Sequence, residues 1–523
     1  MSDRTVVVLS RNYSTGLSVI RSLGEAGYTV DLIASAAKEG RSLAISKSRY
    51  LRSSVEVVSK KVDGEKDEDL LAELLAYRDR EPEKSVLIPT DDYTASVMDE
   101  NRAELTDIFI MPGVAGDGEK LTRYMDKSLQ CRIAEETGMA APACRVVSLR
   151  ETPVTIPEDM TYPCFCKPLE SFTGYKQEMA VCRNRNELSA HLEKLAERFS
   201  ERSFLVQEYV DIDDEIDIEG VAFDQDVILP GVVYKSIVAQ YERGVPLAGE
   251  FLPFEHFPGL KEQVRELIKR YHYSGMFDLG INIVGGRYYF NEMNLRSGGT
   301  NFVYFKSGVN LPDLFVKGVC GVPHDESEEI PEFGKTYLYE KEGYEDVLHG
   351  MLDEDVFRDW EQKAQIKFFV NDDDPEPGEI FISGMEKKLR RKKQRESCIN
   401  AVMEAKGLER EEARALIRDA RERTGISYRD YEKNAFWQYG EEEQEEKYAV
   451  ILERKERIRQ NKEDCIAAAM EDMGWTRQEA VEKIRDARKR LGISYKQYRK
   501  HSFHKIPEKK QQIYYDKYIK KKQ

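Results

Sequence analysis

A chain of 523 residues has length for about three or four domains, each able to bury its own core. Hydrophobic residues make up 41% and charged residues 34%, the texture of a soluble globular protein, and no apolar run approaches the ~20 residues of a membrane span. The net charge of −16 conceals an asymmetry: residues 385–523 carry a net +11 and the rest −27, which points to separate modules and excludes one all-over nucleic-acid-binding surface.

The opening segment, Met1 to Gly16, has only a short apolar stretch and no small-residue cleavage site, so it does not read as a secretory signal. Thr5–Leu9 reads as a β-strand, Thr15–Ala26 as a helix with Leu17, Ile20 and Leu23 on one face, and Tyr28–Ile33 as a second strand. Ser85–Ile88 is a further buried strand, ending in Pro89-Thr90-Asp91-Asp92. Residues 1–115 therefore read as an α/β domain with an open parallel sheet and polar residues at its strand ends, where such sheets place ligands. There is no G-x-G-x-x-G and hence no dinucleotide fingerprint.

From about residue 116 to 325 the pattern is α+β and mostly antiparallel, in two lobes of about 116–203 and 204–325. A helix over Lys120–Thr137 precedes strands at Arg145–Ser148, Pro163–Lys167, Leu205–Val210 and Glu215–Ala222. Gly285-Gly286 then turns a hairpin between Phe277–Val284 and Arg287–Asn291. Residues 326–385 read as a connector or small extra subdomain, with the acidic, Pro-rich stretch Asn371–Gly378 as an exposed loop. The last part, 386–523, is an all-α tandem repeat. Cys398, Gly407, Ile417, Tyr431 and Phe436 recur as Cys465, Gly474, Ile484, Tyr498 and Phe503 at a constant offset of 67 residues, giving copies at about 394–440 and 461–507. The recurring aromatics suit each module's core.

The eight cysteines are scattered, and the tight pair Cys164-Phe-Cys166 has no matching second pair. That spacing argues against a zinc site or disulfide framework and for a reduced, cytoplasmic setting. Four other features stand in order along the chain. They are Asp126-Lys127; the strand Tyr162–Pro168 carrying Lys167, followed by the small, polar loop Glu170–Lys176; Phe204–Val210 followed by the acidic Asp211–Asp217; and Tyr288–Gly299, containing Glu292, Asn294 and Arg296. In a strand these last three point the same way. Two oxygen ligands beside one cation suit a divalent metal bridging phosphates, with an arginine to hold a developing anion.

As an ordered set, these features resemble the ATP-grasp superfamily, in particular its carboxylate–amine ligases, over roughly residues 5–325. The resemblance implies a pre-ATP-grasp domain, an ATP-grasp domain, and ATP with Mg2+ as cofactors. It places Lys127 and Lys167 on the α- and β-phosphates, and the loop with Ser171, Thr173 and Gly174 over the γ-phosphate. Gln207, Glu208, Tyr209 and Val210 become the hinge strand at the adenine edge, and Glu215 the ribose ligand, with Asp214 and Asp217 as alternatives. Glu292 and Asn294 match the last two magnesium ligands and Arg296 the oxyanion-stabilising arginine, with Lys235 and Arg243 as further catalytic cations. The first metal ligand of relatives, five residues after Gly275, is here Gly280; Asp278 is the chosen substitute, with Asn282 the alternative. The substrates implied are a small-molecule carboxylate and amine, an amino acid or cell-envelope precursor among them, joined through an acyl phosphate. A thiol acceptor and a weakened nucleotide-binding scaffold are the alternatives. The basic repeats suit an anionic partner other than nucleic acid, for which no reader motif is present; a homo-oligomer is compatible with the sequence.

Overall fold

The computed structural model describes residues 4–11, 13–40, 42–58, 67–116, 118–151, 153–170, 178–242 and 244–520. It divides into two compact units, Met1–Leu389 and Arg390–Gln523. No described helix is long and apolar enough to cross a membrane.

The first unit begins with β1 (Thr5–Ser10), α1 (Tyr13–Glu25), β2 (Thr29–Ala36), β3 (Leu51–Val58), α2 (Glu68–Ala76), β4 (Ser85–Pro89), α3 (Asp92–Glu100), α4 (Arg102–Leu105) and β5 (Phe109–Ile110). The strands form a parallel sheet in the order β3-β2-β1-β4-β5. On β1, Val6 and Val8 enter one apolar cluster with α1, while Val7 and Leu9 enter another with α2 and α3. Burial on both faces is what a continuous apolar run in a parallel strand specifies.

Next come β6 (Gly113–Val114), α5 (Lys127–Glu136), β7 (Cys144–Ser148), β8 (Cys164–Pro168), β9 (Ala180–Cys182), α6 (Arg185–Phe199) and β10 (Ser203–Glu208). The expected helix over 120–137 is broken: Leu121–Met125 is a 3-10 turn, and Asp126 starts α5 afresh by accepting from the Ser128 and Leu129 amides. A small antiparallel sheet, β7-β10-β8-β9, forms one lobe. β11 (Asp214–Phe223), β12 (Asp226–Ile228), β13 (Val232–Val238), β14 (Pro246–Leu252), α7 (Leu260–Lys269), β15 (Tyr273–Val284) and β16 (Arg287–Asn294) build most of the larger sheet. α8 (Asn301–Lys306) and α9 (Leu311–Val319) then contribute to the core shared with α1.

Residues 326–385 are no connector. β17 (Thr336–Leu338) pairs with β14, and β18 (Ile366–Lys367) pairs with β17, extending the large sheet around α10 (Glu340–His349) and α11 (Glu354–Lys363). The acidic stretch 371–378 is exposed at Asp372, Asp373, Pro375 and Glu376 but is anchored from within. Asp374 is buried and meets the buried Arg21 of α1 at 2.9 Å, while the Arg21 guanidinium also donates to the Phe368 and Asp374 carbonyls at 3.0 and 2.8 Å. The Asp/Pro composition that looked like a linker marks the start of a helix, α12 (Pro375–Lys406). Because removing one partner strands a buried charge, D374A is expected to destabilise the protein by about 3–5 kcal/mol, read as a lower urea midpoint. A change under about 1 kcal/mol would remove the ion pair's structural role.

The second unit is helical: α13 (Arg410–Thr424), α14 (Tyr428–Lys433), α15 (Glu441–Met473), α16 (Arg477–Leu491), α17 (Tyr495–Lys500) and α18 (Glu508–Tyr518), together with the end of α12. Cys398, Ile417, Tyr431 and Phe436 share one apolar cluster, and Cys465, Ile484, Tyr498 and Phe503 another. The Arg421 guanidinium lies 4.0 Å above the Tyr428 ring, and that of Arg488 3.5 Å above Tyr495.

Candidate active site

The start of α5 is tied to the end of β8, since the Lys127 amide donates to the Leu169 carbonyl at 3.0 Å. This brings Lys127 and Lys167, 5% and 4% exposed, close enough to repel one another. Gln130, one turn along α5, donates to the Met293 carbonyl at 2.7 Å and accepts the Met293 amide at 3.2 Å. Met293 buries its side chain in the core, so its neighbours Glu292 and Asn294 turn to the opposite face of β16. Burial alone would raise the Glu292 carboxyl, but Lys127, Lys167, Arg296 and Lys235 together outweigh it and hold Glu292 below its ordinary value. Burial also lowers Lys127, against the pull of Glu292. Residues far apart in sequence thus meet at one place.

A second cluster adjoins the first. Asp278 of β15 lies opposite Asn294 on one side and Glu219 on the other. Its Oδ2 accepts from Asn294 Nδ2 at 3.1 Å and from Arg296 at 3.0 Å, and Arg296 Nε lies 3.0 Å from Asp92. Glu219 is buried and accepts from the Gly298 amide at 2.9 Å and the Thr300 hydroxyl at 2.6 Å. Any side chain at 298 would clash, because a Cβ there would stand 2.6 Å from both Asp278 and Glu219. Lys235 sits 2.8 Å from Asp217 and 3.5 Å from Glu215. Burial, with Asp278 adding and Lys235 opposing, pushes Asp217 up to about 7. Burial and Asp278 likewise push Glu219 up to about 8, and Asp278 itself is raised.

Among the sequence-derived residues, Lys127, Lys167, Lys235, Glu215, Asp278, Glu292, Asn294 and Arg296 belong to this connected set. Arg243, Ser171, Thr173 and Gly174 lie outside the described residues. The expected hinge strand runs past the end of β10. β10 ends at Glu208, whose amide donates to the Ala143 carbonyl at 2.8 Å, and the Tyr209 amide donates to the Pro163 carbonyl at 3.1 Å, so neither is a donor for a base edge. Arg296 lies beyond β16, which ends at Asn294, and reaches the site from the following turn. β16 carries a bulge: Gly280 faces Glu292 and Ile281 faces Phe290, leaving Asn291 as the extra residue. A Cβ at Gly280 would be 3.7 Å from Glu292 Cγ, so a side chain there would enter the site beside Glu292. Asn282 pairs across from Glu215.

Three residues of the site were not singled out from sequence: Asp92, Glu219 and Gln130. Asp92 stands in the polar motif after β4, a legible signal. The other two carry no local motif.

The donor set fits magnesium. Asp278, Glu292 and the Asn294 amide offer hard oxygen ligands close together on β15 and β16. Among the described residues, no three His, Cys, Asp or Glu side chains by themselves form a metal cage.

No protein-family model matches the chain. It is 26% identical over 225 residues to the carbamoyl phosphate synthase large chain of Sulfolobus acidocaldarius, covering 42% of this chain and 20% of that one. It is 23% identical over 263 residues to the formate-dependent phosphoribosylglycinamide formyltransferase of Nitratiruptor sp., covering 49% and 65% respectively. The chain spans less than two thirds of the length of these relatives. Among solved structures, the biotin carboxylase domain of the Hydrogenobacter thermophilus 2-oxoglutarate carboxylase, in complex with MgADP, ADP and bicarbonate, superposes with a TM-score of 0.50 at 18% identity, covering 64% of this chain and 73% of that one.

Proposed function

For a chain with the ATP-grasp fold, we propose an ATP-dependent ligase that joins a carboxylate to an amine through an acyl phosphate, releasing ADP and phosphate. The observation that carries this reading is the convergence of two buried lysines, Lys127 and Lys167, on the ionised Glu292. Buried cations that repel one another are suited to a polyanion such as a triphosphate.

Lys127 and Lys167 would hold phosphate oxygens. The base edge falls to the Glu208 carbonyl and Val210 amide, and the ribose to Glu215, with Asp217 engaged by Lys235. Asp278, Glu292 and Asn294 would hold magnesium, which when bound neutralises charge on the phosphates. The substrate carboxylate attacks the γ-phosphorus in line, giving ADP and a mixed anhydride. The amine then adds to the anhydride carbonyl, phosphate leaves, and Arg296 stabilises the oxyanion between those steps. Arg296 is held for this by Asp92 and Asp278. The helical tail belongs in this reading as two copies of one module, supported by the 67-residue recurrence and the matching buried residues, with an anionic partner suited to its charge.

Magnesium-dependent phosphate release, measured across pooled carboxylates with pooled amino acids and amines, tests the proposal. Release that requires a carboxylate and an amine together is expected. Stimulation only by thiols would move the acceptor to sulfur. ATP binding without turnover in every pool would overturn the ligase and leave a scaffold, the reading that Gly280 favours.

A further inference from the structure

The chain that leaves β16 is held at close intervals. Tyr273 of β15 donates to the Leu295 carbonyl at 2.9 Å, and the Arg296 guanidinium itself donates to the Ser297 carbonyl at 3.2 Å. Glu219 of β11 then takes the Gly298 amide at 2.9 Å and the Thr300 hydroxyl at 2.6 Å, one on each carboxylate oxygen. Between them the Tyr339 hydroxyl donates to the Gly299 carbonyl. Three consecutive residues are thus gripped from two sides, β11 and the link between β17 and α10. Both grips are themselves fixed. The Glu219 amide donates to the Tyr304 hydroxyl at 2.8 Å. The Tyr339 amide donates to the Leu247 carbonyl at 2.8 Å, and its ring stacks on Phe368 at a centroid distance of 5.1 Å.

We propose that Glu219 and Tyr339 are positioning residues for the amine-addition step: they lock the turn 298–300 and, through it, set where the Arg296 guanidinium stands. This role rests on the ligase reading. A buried acid is a costly way to close a turn, since backbone groups alone can close one. What the acid adds is a pair of short, charge-assisted contacts that fix the turn in place. Glu219 lies directly across from Asp278, and Asp278 across from Asn294, so one row of side chains on one face of the sheet ties the turn to the residues proposed for magnesium. Asp92 and Asp278 hold Arg296 by its head; the turn holds it by its backbone. In the amine step, nitrogen bonds to the carbonyl carbon of the acyl phosphate and the carbonyl oxygen takes up negative charge beside Arg296. The carbon–oxygen bond to phosphate then breaks, phosphate leaves with that electron pair, and nitrogen loses a proton. A misplacement of ~1 Å at such a centre costs on the order of 10²-fold in rate. The earlier phosphoryl transfer gathers its charge on phosphate oxygens instead, at Lys127 and Lys167. The two steps therefore depend on the turn to different degrees. Tyr339 also gives the segment 326–385 a part in the site.

The full-length chain with ATP, magnesium and pooled carboxylates gives two readouts. Pooled amino acids and amines report the complete reaction as phosphate release. Hydroxylamine in large excess in their place attacks the acyl phosphate without help from the protein, and the hydroxamate formed reports the first step alone. Thr300→Val, Tyr339→Phe and Glu219→Gln should each lower amine-dependent phosphate release by roughly 10- to 100-fold, while hydroxamate formation and ATP affinity stay within ~3-fold of wild type. Thr300→Ser, which keeps the hydroxyl, should restore release. If Glu219→Gln does not fold, Thr300→Val and Tyr339→Phe, each losing a single hydroxyl, carry the test. Amine-dependent release that is unchanged in both folded variants overturns the proposal. So does hydroxamate formation that falls in step with it, the mark of a purely structural turn. Thr300→Ser as impaired as Thr300→Val overturns the part given to Glu219. A wild type that forms no hydroxamate and releases no phosphate with any pool overturns the ligase reading and the positioning role with it.

Discussion

Glu292→Gln is expected to lower magnesium-dependent ATP turnover by at least ~10²-fold, the scale on which losing a charge-stabilising group at a reacting centre is felt. Glu292 is the ionised carboxylate on which Lys127, Lys167, Arg296 and Lys235 all act. The amide keeps the shape and removes both the proposed anionic ligand and the counter-charge of the two buried lysines. Some stability goes with it. The folded Glu292 has a pKa below its unfolded value, so its contribution is complete above that value and is lost as pH falls through the folded pKa. Turnover and thermal melting measured on the same preparation separate the two effects: full turnover in a folded E292Q variant would remove the metal role.

Lys167→Ala and Lys127→Ala should each weaken ATP binding by roughly 10- to 150-fold, the equivalent of losing a hydrogen bond to a charged group at about 1.5–3 kcal/mol. The two need not be equal. Lys127 tops the helix clamped by Gln130 to Met293 and acts on Glu292 more strongly than Lys167, which rests on the lobe sheet. Titration calorimetry with a non-hydrolysable ATP analogue gives the affinities directly. Unchanged affinity in both variants would sink the nucleotide assignment.

How much of this was legible in the chain depended on whether a signal was local. The strand positions of β1, β4, β8 and β11 follow from apolar runs and turn residues, and the lysines and Glu292 stand in short, ordered motifs. Within the expected hinge strand the single amides were not legible, because which N–H groups remain for a ligand depends on Ala143 and Pro163, residues some 45 to 65 positions away. Residues 326–385 misled for a related reason. Asp-rich and Pro-rich composition ordinarily marks exposed loops, but Asp374 is satisfied by an arginine more than 350 residues earlier, which no window can see. Glu219 was hidden similarly: in sequence it is one more acid on an acidic strand, and only the Gly298–Thr300 turn makes it a buried anchor.

The Arg21–Asp374 pair also has a bearing on how the polypeptide comes off the ribosome. Its first helix cannot bury its guanidinium with a counter-ion until some 350 further residues have been made and have threaded β17 and β18 onto the sheet. Chains usually fold domain by domain from the amino end during synthesis. Here the earliest-made layer has to wait, holding an unsatisfied cation, for the latest part of the same unit to arrive. Nascent chains stalled before residue 374 should therefore be protease-sensitive around α1, and release past that point should bring protection abruptly rather than by degrees.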